Sequence, residues 1–267
     1  MTGAATVKAC CAAVYQSDLA RMLFGESFHP GGLRLTERLG TLLDLESSHH
    51  VLDVAAGGGA TGIFLAQRFG CRVTGVDFGG ANVERATAEA ARAGVADRVV
   101  FRQGDAERLS FDSGVFDAVV CECAFCTFPD KRAAAHEFFR VLRPGGIVGL
   151  SDLTRTGPLP PSLDGLLAWI ACIADARPVA EYAAFLTGAG FTPPYVEPHD
   201  SALAEMVRET RGKLLAAELL VKLGRIALPD VDFDQAKSLA LAAEEAARNG
   251  KLGYALIAAR AASGTSR

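Results

Sequence analysis

Hydrophobic and polar positions follow two alternating patterns between residues 51 and 155. Short runs of β-branched and other apolar residues recur, and each is followed by an alanine-rich segment with helical spacing. This alternation is typical of right-handed βαβ units, which build a mostly parallel sheet with helices on both faces. The pattern therefore predicts an α/β fold with a doubly wound sheet.

Seven strands and several helices can be placed on this pattern. The strands are predicted at 51–55, 71–77, 99–103, 116–121, 147–152, 191–196 and 254–260. Helices are predicted at 61–69, 81–93, 131–142, 163–176 and 179–189, with further helical patterns over 5–45 and 201–249. We accordingly expect an N-terminal helical lid (1–45), a core (46–200), a helical insertion (201–250) and a last core strand within 251–262.

Composition and charge narrow the classes of function. The chain has 267 residues, of which 50% are hydrophobic, and a formal net charge of −4 without a run of Lys or Arg. Nucleic-acid-binding proteins usually carry a basic patch, and a membrane-spanning helix needs about 18 apolar residues in a row. We expect a cytoplasmic protein that binds a small molecule rather than nucleic acid or membrane. Its oligomeric state stays open.

A glycine-rich turn follows the first predicted strand. Residues 55–59 contain three consecutive glycines and lie just before a predicted helix, so their backbone N–H groups can approach a ligand at the positive helix end. Gly57, Gly59 and Gly62 also fit the dinucleotide-binding pattern G-x-G-x-x-G, and Asp77 ends the second strand, where an acidic residue binds ribose hydroxyls. The turn alone therefore fits a dinucleotide-binding enzyme as well as an enzyme that binds another cofactor.

Three further features distinguish a dinucleotide-binding enzyme from an enzyme that binds another cofactor. Asp53 lies inside the first strand, at a position where dinucleotide-binding folds place an apolar residue, and the segments Gly104-Asp105-Ala106 and 142–146 (Leu-Arg-Pro-Gly-Gly) have no role in the dinucleotide motif. Over residues 45–155 the chain resembles the class I S-adenosylmethionine (SAM) dependent methyltransferases, whose first motif is D-x-G-x-G-x-G. An NAD-dependent oxidoreductase is a weaker alternative, since the chain lacks a Tyr-x-x-x-Lys pair.

The resemblance implies a Rossmann-like methyltransferase fold, SAM as cofactor and a set of residues that bind it. The first-motif residues would hold the methionine part, the residue ending the second strand would bind the ribose, and the later residues would contact the adenine or close the site. These residues are Asp53, Ala55, Gly57, Gly59, Asp77, Phe78, Asp105, Ala106 and Glu122. Ala55 replaces the first glycine of the family motif, which narrows the space beside the methionine part.

The methyl acceptor is suggested by cysteines that follow the fourth predicted strand. The segment from Glu122-Cys123-Ala124 to Lys131, followed by Leu-Arg-Pro-Gly-Gly, is similar to a pattern in arsenite methyltransferases. That resemblance implies Cys123 and Cys172 as catalytic thiolate ligands of trivalent arsenic, with Cys11 or Cys10 as the third. Trivalent arsenic is soft and prefers thiolates. Its lone pair could attack the methyl group without a general base.

Two other interpretations stay open. In one, the enzyme is an O-, N- or C-methyltransferase of a small hydrophobic, quinone-type metabolite, and cysteine substitutions leave its activity intact. In the other, the chain is a non-catalytic thiol-based metalloid binder or redox sensor. Free cysteines are often buried as small apolar residues, and we expect this of Cys121 and Cys126. The sequence leaves open whether His29 and Tyr15 contact a ligand.

Overall fold

Seven strands form the centre of the computed structural model, which describes residues 29–163, 172–228 and 231–262. They are β1 (His50–Val54), β2 (Arg72–Asp77), β3 (Val99–Gln103), β4 (Phe116–Glu122), β5 (Leu142–Arg155), β6 (Tyr195–Pro198) and β7 (Leu252–Arg260). All belong to one sheet with the order β3-β2-β1-β4-β5-β7-β6. β7 runs antiparallel to both of its neighbours, whereas the other pairs are parallel. The predicted seven-stranded, mostly parallel sheet is confirmed.

The helices of the described ranges flank this sheet. They are α1 (Gly32–Leu42), α2 (Ala60–Phe69), α3 (Gly80–Arg92), α4 (Lys131–Val141), α5 (Val179–Ala189), α6 (Asp200–Lys222) and α7 (Phe233–Arg248), with short 3-10 turns at Phe125–Thr127 and Pro161–Leu163. α6 and α7 pack against each other and lie between β6 and β7 in the chain. Within the described ranges no helix is both long and apolar enough to cross a membrane.

Three predicted elements differ from the structure by more than two residues. The fifth strand was expected at 147–152, but it runs from Leu142 to Arg155. The sixth strand was expected at 191–196, but it begins only at Tyr195, and Phe191 makes an isolated bridge to Ala261. Pro193 and Pro194 lie between them, and proline cannot donate a hydrogen bond to a neighbouring strand. The helix expected at 163–176 falls mostly on residues 164–171, outside the described residues, and residues 172–176 form turns.

Three large hydrophobic clusters hold the layers together. On one face of the sheet α4 and α5 contribute to a cluster that contains Phe138 and Tyr182, and on the other face α1 and α2 contribute Leu39 and Leu65. The third cluster joins α6 and α7 to β5 and β7, with Tyr254 at its centre. α6 and α7 therefore pack over the β5–β7 side of the sheet. The carboxyl ends of β4 and β5, where parallel sheets bind ligands, lie next to this cluster.

Candidate functional site

The glycine turn and the end of β2 are joined by the Asp77 carboxylate. Its Oδ2 accepts a hydrogen bond from the Gly57 backbone N–H at 2.8 Å, and its Oδ1 accepts from the Gly79 N–H at 2.8 Å and from Asn82 Nδ2 at 3.0 Å. Asp77 therefore organises the first two loops at the carboxyl edge of the sheet. Asn82 lies in the first turn of α3 and was not predicted from the sequence.

The backbone of the turn leaves space for a ligand. A Cβ atom added at Gly57 would meet no heavy atom within 4 Å, whereas one at Gly59 would lie 2.7 Å from the Phe101 ring and 2.9 Å from the Ala86 Cβ. Gly59 thus permits close packing, and Gly57 faces open space. Ala55 has φ 60°, in the left-handed region that favours glycine, so the residue that departs from the family motif is strained.

Asp53 places a buried carboxyl group beneath this space. The side chain is 2% exposed, and its Oδ2 has no hydrogen-bond partner among the described residues. Burial raises the pKa of Asp53 to about 8; repulsion from Glu122 and Asp77 contributes, and the Gly62 backbone opposes the shift. A buried carboxyl group surrounded by other carboxylates favours a positively charged ligand. SAM carries an ammonium and a sulfonium, so these residues fit it.

The adenine-side residues lie along the same edge of the sheet. The Phe78 side chain is 42% exposed, and its carbonyl oxygen accepts a hydrogen bond from Gln103 Nε2 at 3.0 Å. Asp105 Oδ1 accepts from the Glu107 N–H at 3.0 Å, which shapes the loop after β3, and Ala106 packs against the first cluster. The structure therefore brings the predicted residues from the ends of β1, β2 and β3 to neighbouring loops.

Glu122, at the end of β4, is the centre of a buried hydroxyl network. Its Oε2 accepts hydrogen bonds from Thr36 at 2.9 Å and Thr61 at 2.7 Å, and its Oε1 accepts from Ser151 at 3.1 Å. The Tyr254 hydroxyl donates in turn to Ser151 at 2.9 Å. The network links α1, α2, β4, β5 and β7. Sequence reasoning did not find these four hydroxyl residues.

His29 completes the network from the side of α1. Its Nε2 lies 3.4 Å from Glu122 Oε2 and 3.3 Å from Thr36 Oγ1, and its Nδ1 lies 3.2 Å from the Pro30 carbonyl oxygen. The His29 and Glu122 side chains are 2% and 4% exposed. The sequence left the role of His29 open. The structure pairs it with the carboxylate that ends β4.

The predicted cysteine pair is brought together next to this network. Cys172 Sγ donates a hydrogen bond to the Cys123 carbonyl oxygen at 3.1 Å, and both residues have positive φ values, of 62° and 50°. Cys126, expected only to pack, also contacts Cys172 and is fully buried, as is Cys121. Cys10 and Cys11, the remaining predicted ligands, and Tyr15 lie outside the described residues.

The surroundings of these cysteines favour protonated thiols. The hydrogen bond with Cys172, followed by burial, raises the pKa of Cys123, and burial is the main cause that raises the pKa of Cys126. Burial also raises the pKa of the neighbouring Asp152 to about 7. In the described part of the chain, no group of three or more His, Cys, Asp or Glu side chains is arranged to hold a metal ion. In this arrangement the cysteine thiols are protonated and uncharged, and they pack as small apolar side chains.

Comparisons with known proteins agree with this geometry. A family model described as a methyltransferase domain matches residues 51–146. The chain is 32% identical over 239 residues to 27-O-demethylrifamycin SV methyltransferase of Amycolatopsis mediterranei (strain S699), covering 78% of this chain and 86% of that protein. It is 32% identical over 158 residues to an arsenite methyltransferase of Halobacterium salinarum, but that match covers 57% of this chain and 39% of the relative.

A solved structure extends the likeness in fold. Phosphoethanolamine N-methyltransferase 2 of Haemonchus contortus, in complex with phosphomonomethylethanolamine and S-adenosylhomocysteine, superposes with a TM-score of 0.80 and covers 96% of this chain and 60% of that chain. Its sequence identity of 18% shows a shared fold. Together with the match over most of the rifamycin enzyme, these findings show that the chain belongs to the class I SAM-dependent methyltransferases.

Proposed function

We propose that this methyltransferase acts on a hydroxyl oxygen of a small hydrophobic metabolite, with His29 as general base. The observation that carries the proposal is the buried pair of His29 and Glu122 at the end of β4, with 3.4 Å between Nε2 and Oε2. An alcohol or phenol gives up its proton during methylation, so a base at this place serves oxygen acceptors. A lone pair on arsenic needs no such base.

The cofactor-binding role falls to the residues at the ends of β1, β2 and β3. Asp53 and the turn containing Ala55, Gly57 and Gly59 would hold the methionine part, and Asp77 the ribose. Phe78, Asp105 and Ala106 would border the adenine. When bound, SAM supplies an electrophilic methyl group on a positively charged sulfonium. The Glu122 carboxylate gives the site negative charge, and the Asp53 carboxyl group adds to it once a positively charged ligand favours its ionised form.

The base is oriented by its two ring contacts. If Nδ1–H donates to the Pro30 carbonyl oxygen, the lone pair stays on Nε2, beside Glu122. The acceptor hydroxyl would pass its proton to Nε2 as its oxygen bonds to the methyl carbon and the carbon–sulfur bond breaks toward sulfur. The Glu122 carboxylate would then stabilise the imidazolium. Hydroxyl donors from Thr36 and Thr61 hold that carboxylate in place.

The surroundings of the acceptor end indicate a hydrophobic substrate. Leu35, Leu163, Ile173 and Leu203 belong to the buried cluster against which Cys123 packs, so the side chains next to the acceptor end are apolar. The relative from Amycolatopsis mediterranei, which matches 78% of the chain, is named as a 27-O-demethylrifamycin SV methyltransferase. Both observations support an apolar metabolite that bears a hydroxyl group.

Arsenite is the second candidate acceptor. It is supported by the contact between Cys172 Sγ and the Cys123 carbonyl, which places two predicted ligands side by side, and by the similarity to an arsenite methyltransferase over part of the chain. This candidate needs Cys10 or Cys11 as a third ligand. It also needs the Cys123 and Cys172 thiols to lose their protons on binding arsenic, which opposes the raised pKa of Cys123.

One experiment separates the two candidates. Purified enzyme is incubated with SAM and either a panel of hydroxylated aromatic and polyketide compounds or arsenite with a thiol reductant, and S-adenosylhomocysteine is measured. For a hydroxyl acceptor, His29→Ala should lower kcat at least about a hundredfold, the usual contribution of a general base, at unchanged SAM affinity. The matched control is His136→Ala, which alters an exposed histidine on α4.

The cysteine variants complete the test. Under our proposal Cys123→Ser and Cys172→Ser keep most of the activity on the hydroxylated acceptor. If only arsenite supports turnover and both variants abolish it while SAM still binds, arsenite is the acceptor and the oxygen proposal is wrong. Full kcat in His29→Ala with a hydroxylated acceptor would remove the role assigned to the base.

A further inference from the structure

Lys131, the first residue of α4, departs from two local rules. Its side chain is 5% exposed, although lysine is seldom buried. It also places a positive charge at the N-terminal end of a helix, where the helix dipole favours a negative charge. Proteins break such rules mainly at functional sites. Lys131 ends the cysteine-containing segment that begins at Glu122, and the proposed reaction does not use it.

The ammonium group of Lys131 joins two loops. It donates hydrogen bonds to the Phe128 carbonyl oxygen at 3.0 Å and to the Asp175 carboxylate, with which it forms an ion pair. Phe128 belongs to the loop that follows β4, whereas Asp175 lies in the segment 172–177, which forms a bridge to the end of β5 at Arg177. Arg177 also binds the second carboxylate oxygen of Asp175. The Asp175 side chain is 13% exposed, so salt screens this contact only weakly.

The segment that contains Asp175 brings apolar side chains to the acceptor end. Cys172 and Ile173 are 2% and 6% exposed and belong to the third hydrophobic cluster. Arg155 of β5 holds the other end of the segment, since its Nε donates a hydrogen bond to the Ala176 carbonyl oxygen at 2.6 Å. Asp175 lies between these two ends. Its ion pair therefore fixes the middle of the segment relative to the loop after β4.

We infer that the ion pair of Lys131 and Asp175 positions the segment 172–177 against the methyl acceptor, which makes Lys131 a positioning residue of the methyl transfer. The inference rests on the proposed function, which places the acceptor next to the third cluster. A buried ion pair adds little net stability over apolar side chains of similar size, because both charges lose their water. Its hydrogen bonds are directional, however, and define one position for the loops that they join.

A pair of apolar substitutions separates position from stability. Lys131→Met combined with Asp175→Leu removes the directional bonds, and Arg177 keeps Glu181 as an ion-pair partner. The midpoint of urea unfolding should stay at the wild-type value or rise. The acceptor kcat/KM, measured with whichever of the hydroxylated panel or arsenite supports turnover, should fall at least about tenfold, since a shift of about 1 Å can cost a hundredfold in rate. SAM affinity should be unchanged, and Lys131→Arg, which keeps the charge, should retain most of kcat/KM.

Chemical labelling follows the segment without any acceptor. Iodoacetamide alkylates accessible cysteines, and mass spectrometry of the peptides gives the rate at each of them. Lys131→Met should raise the rate at Cys172 at least about tenfold. Cys71, fully buried in the cluster beneath α1 and α2, is the internal reference and should keep its wild-type rate. Lys222→Met, which removes an exposed ion pair with Glu218 on α6, is the matched control and should leave both rates unchanged.

Two results would each overturn the inference: a wild-type labelling rate at Cys172 in Lys131→Met, or a wild-type kcat/KM in the double variant. Faster labelling of Cys71 together with a lower urea midpoint would also overturn it, because that pattern indicates general destabilisation. The labelling result does not depend on the base. If His29→Ala keeps full kcat, the proposed function fails, but the position of Cys172 is still tested.

Discussion

Replacing Asp53 by asparagine separates the charge of this buried group from its shape. Burial raises the pKa of the carboxyl group to about 8, so at pH 7 the free protein holds it mostly protonated. The positive charges of SAM favour the ionised form. Binding should therefore release a proton from Asp53 below pH 8, and Asp53→Asn should abolish this release.

The size of the effect follows from the pKa. One pH unit below the pKa, ionising the carboxyl group costs about 1.4 kcal/mol, which is a tenfold change in affinity. The affinity of the wild type for SAM should thus rise up to about a hundredfold from pH 6 to pH 8 and then level off. The asparagine variant should bind more weakly than the wild type at pH 8.5, with an affinity that changes little over this range.

The same shift makes the stability of the free protein pH-dependent. The folded-state pKa of about 8 lies above the ordinary value of 3.8, so the folded state holds this proton more tightly than the unfolded state does. The stabilisation is complete below pH 3.8 and is lost as the pH rises through 8. The loss reaches on the order of 5 kcal/mol at most. Asp53→Asn should escape it and be the more stable protein at pH 9.

Isothermal titration calorimetry with SAM at pH 6 to 9 measures the affinities. Repeating the titrations in buffers with different ionisation enthalpies counts the protons released. Urea unfolding at pH 6 and pH 9 measures the stability difference. Asp97→Asn, at an exposed position between α3 and β3, is the control. The reasoning is refuted if the affinity of the wild type changes less than twofold between pH 6 and pH 8, or if Asp53→Asn keeps the wild-type slope.

Three further predictions concern the site and its supports. Asp77→Ala should weaken SAM binding more than tenfold in the same calorimetric assay, because the loop at Gly57 loses the carboxylate that holds it; unchanged affinity would contradict the ribose assignment. Ala55→Gly should raise the free energy of unfolding in urea by up to about 1 kcal/mol, since glycine removes strain at φ 60°, and a loss of stability would contradict this. Thr36→Val should lower that free energy by about 1–3 kcal/mol, because Glu122 loses a buried donor, whereas a neutral result would show that the hydroxyl network does not anchor α1.

The parts of the fold that the sequence predicts are those fixed by local pattern. The strand predicted at 99–103 and the helix predicted at 179–189 match the structure residue for residue, because apolar periodicity and turn residues define both. The sixth strand was displaced because Pro193 and Pro194 removed two donors from a segment whose apolar content suggested a strand. Residues 172–176 were predicted as helix, but Cys172 has a positive φ that a helix does not allow.

The candidate site also contains residues that local pattern predicts and residues that it does not. Asp77 was predicted because its position after a strand is a local feature, and the structure places its carboxylate on the glycine turn. The hydroxyl network could not be predicted, since Thr36, Ser151 and Tyr254 come from three separated elements and none carries a motif of its own. Only folding brings them to Glu122. The contact between His29 and Glu122 could not be predicted either, because only folding brings these two residues together.

The position of β7 has a consequence for the order in which the protein acquires its parts during synthesis. The strand lies between β5 and β6 in the sheet, although it is the last strand of the described chain. On a ribosome, β1 to β5 and the glycine turn can pair before residues 252–260 emerge, whereas β6 has no neighbour until then. Tyr254, which supports Ser151 and through it Glu122, arrives with that final strand. A nascent chain can therefore form its cofactor loops first, and its acceptor end is completed only after residues 252–260 have been synthesised.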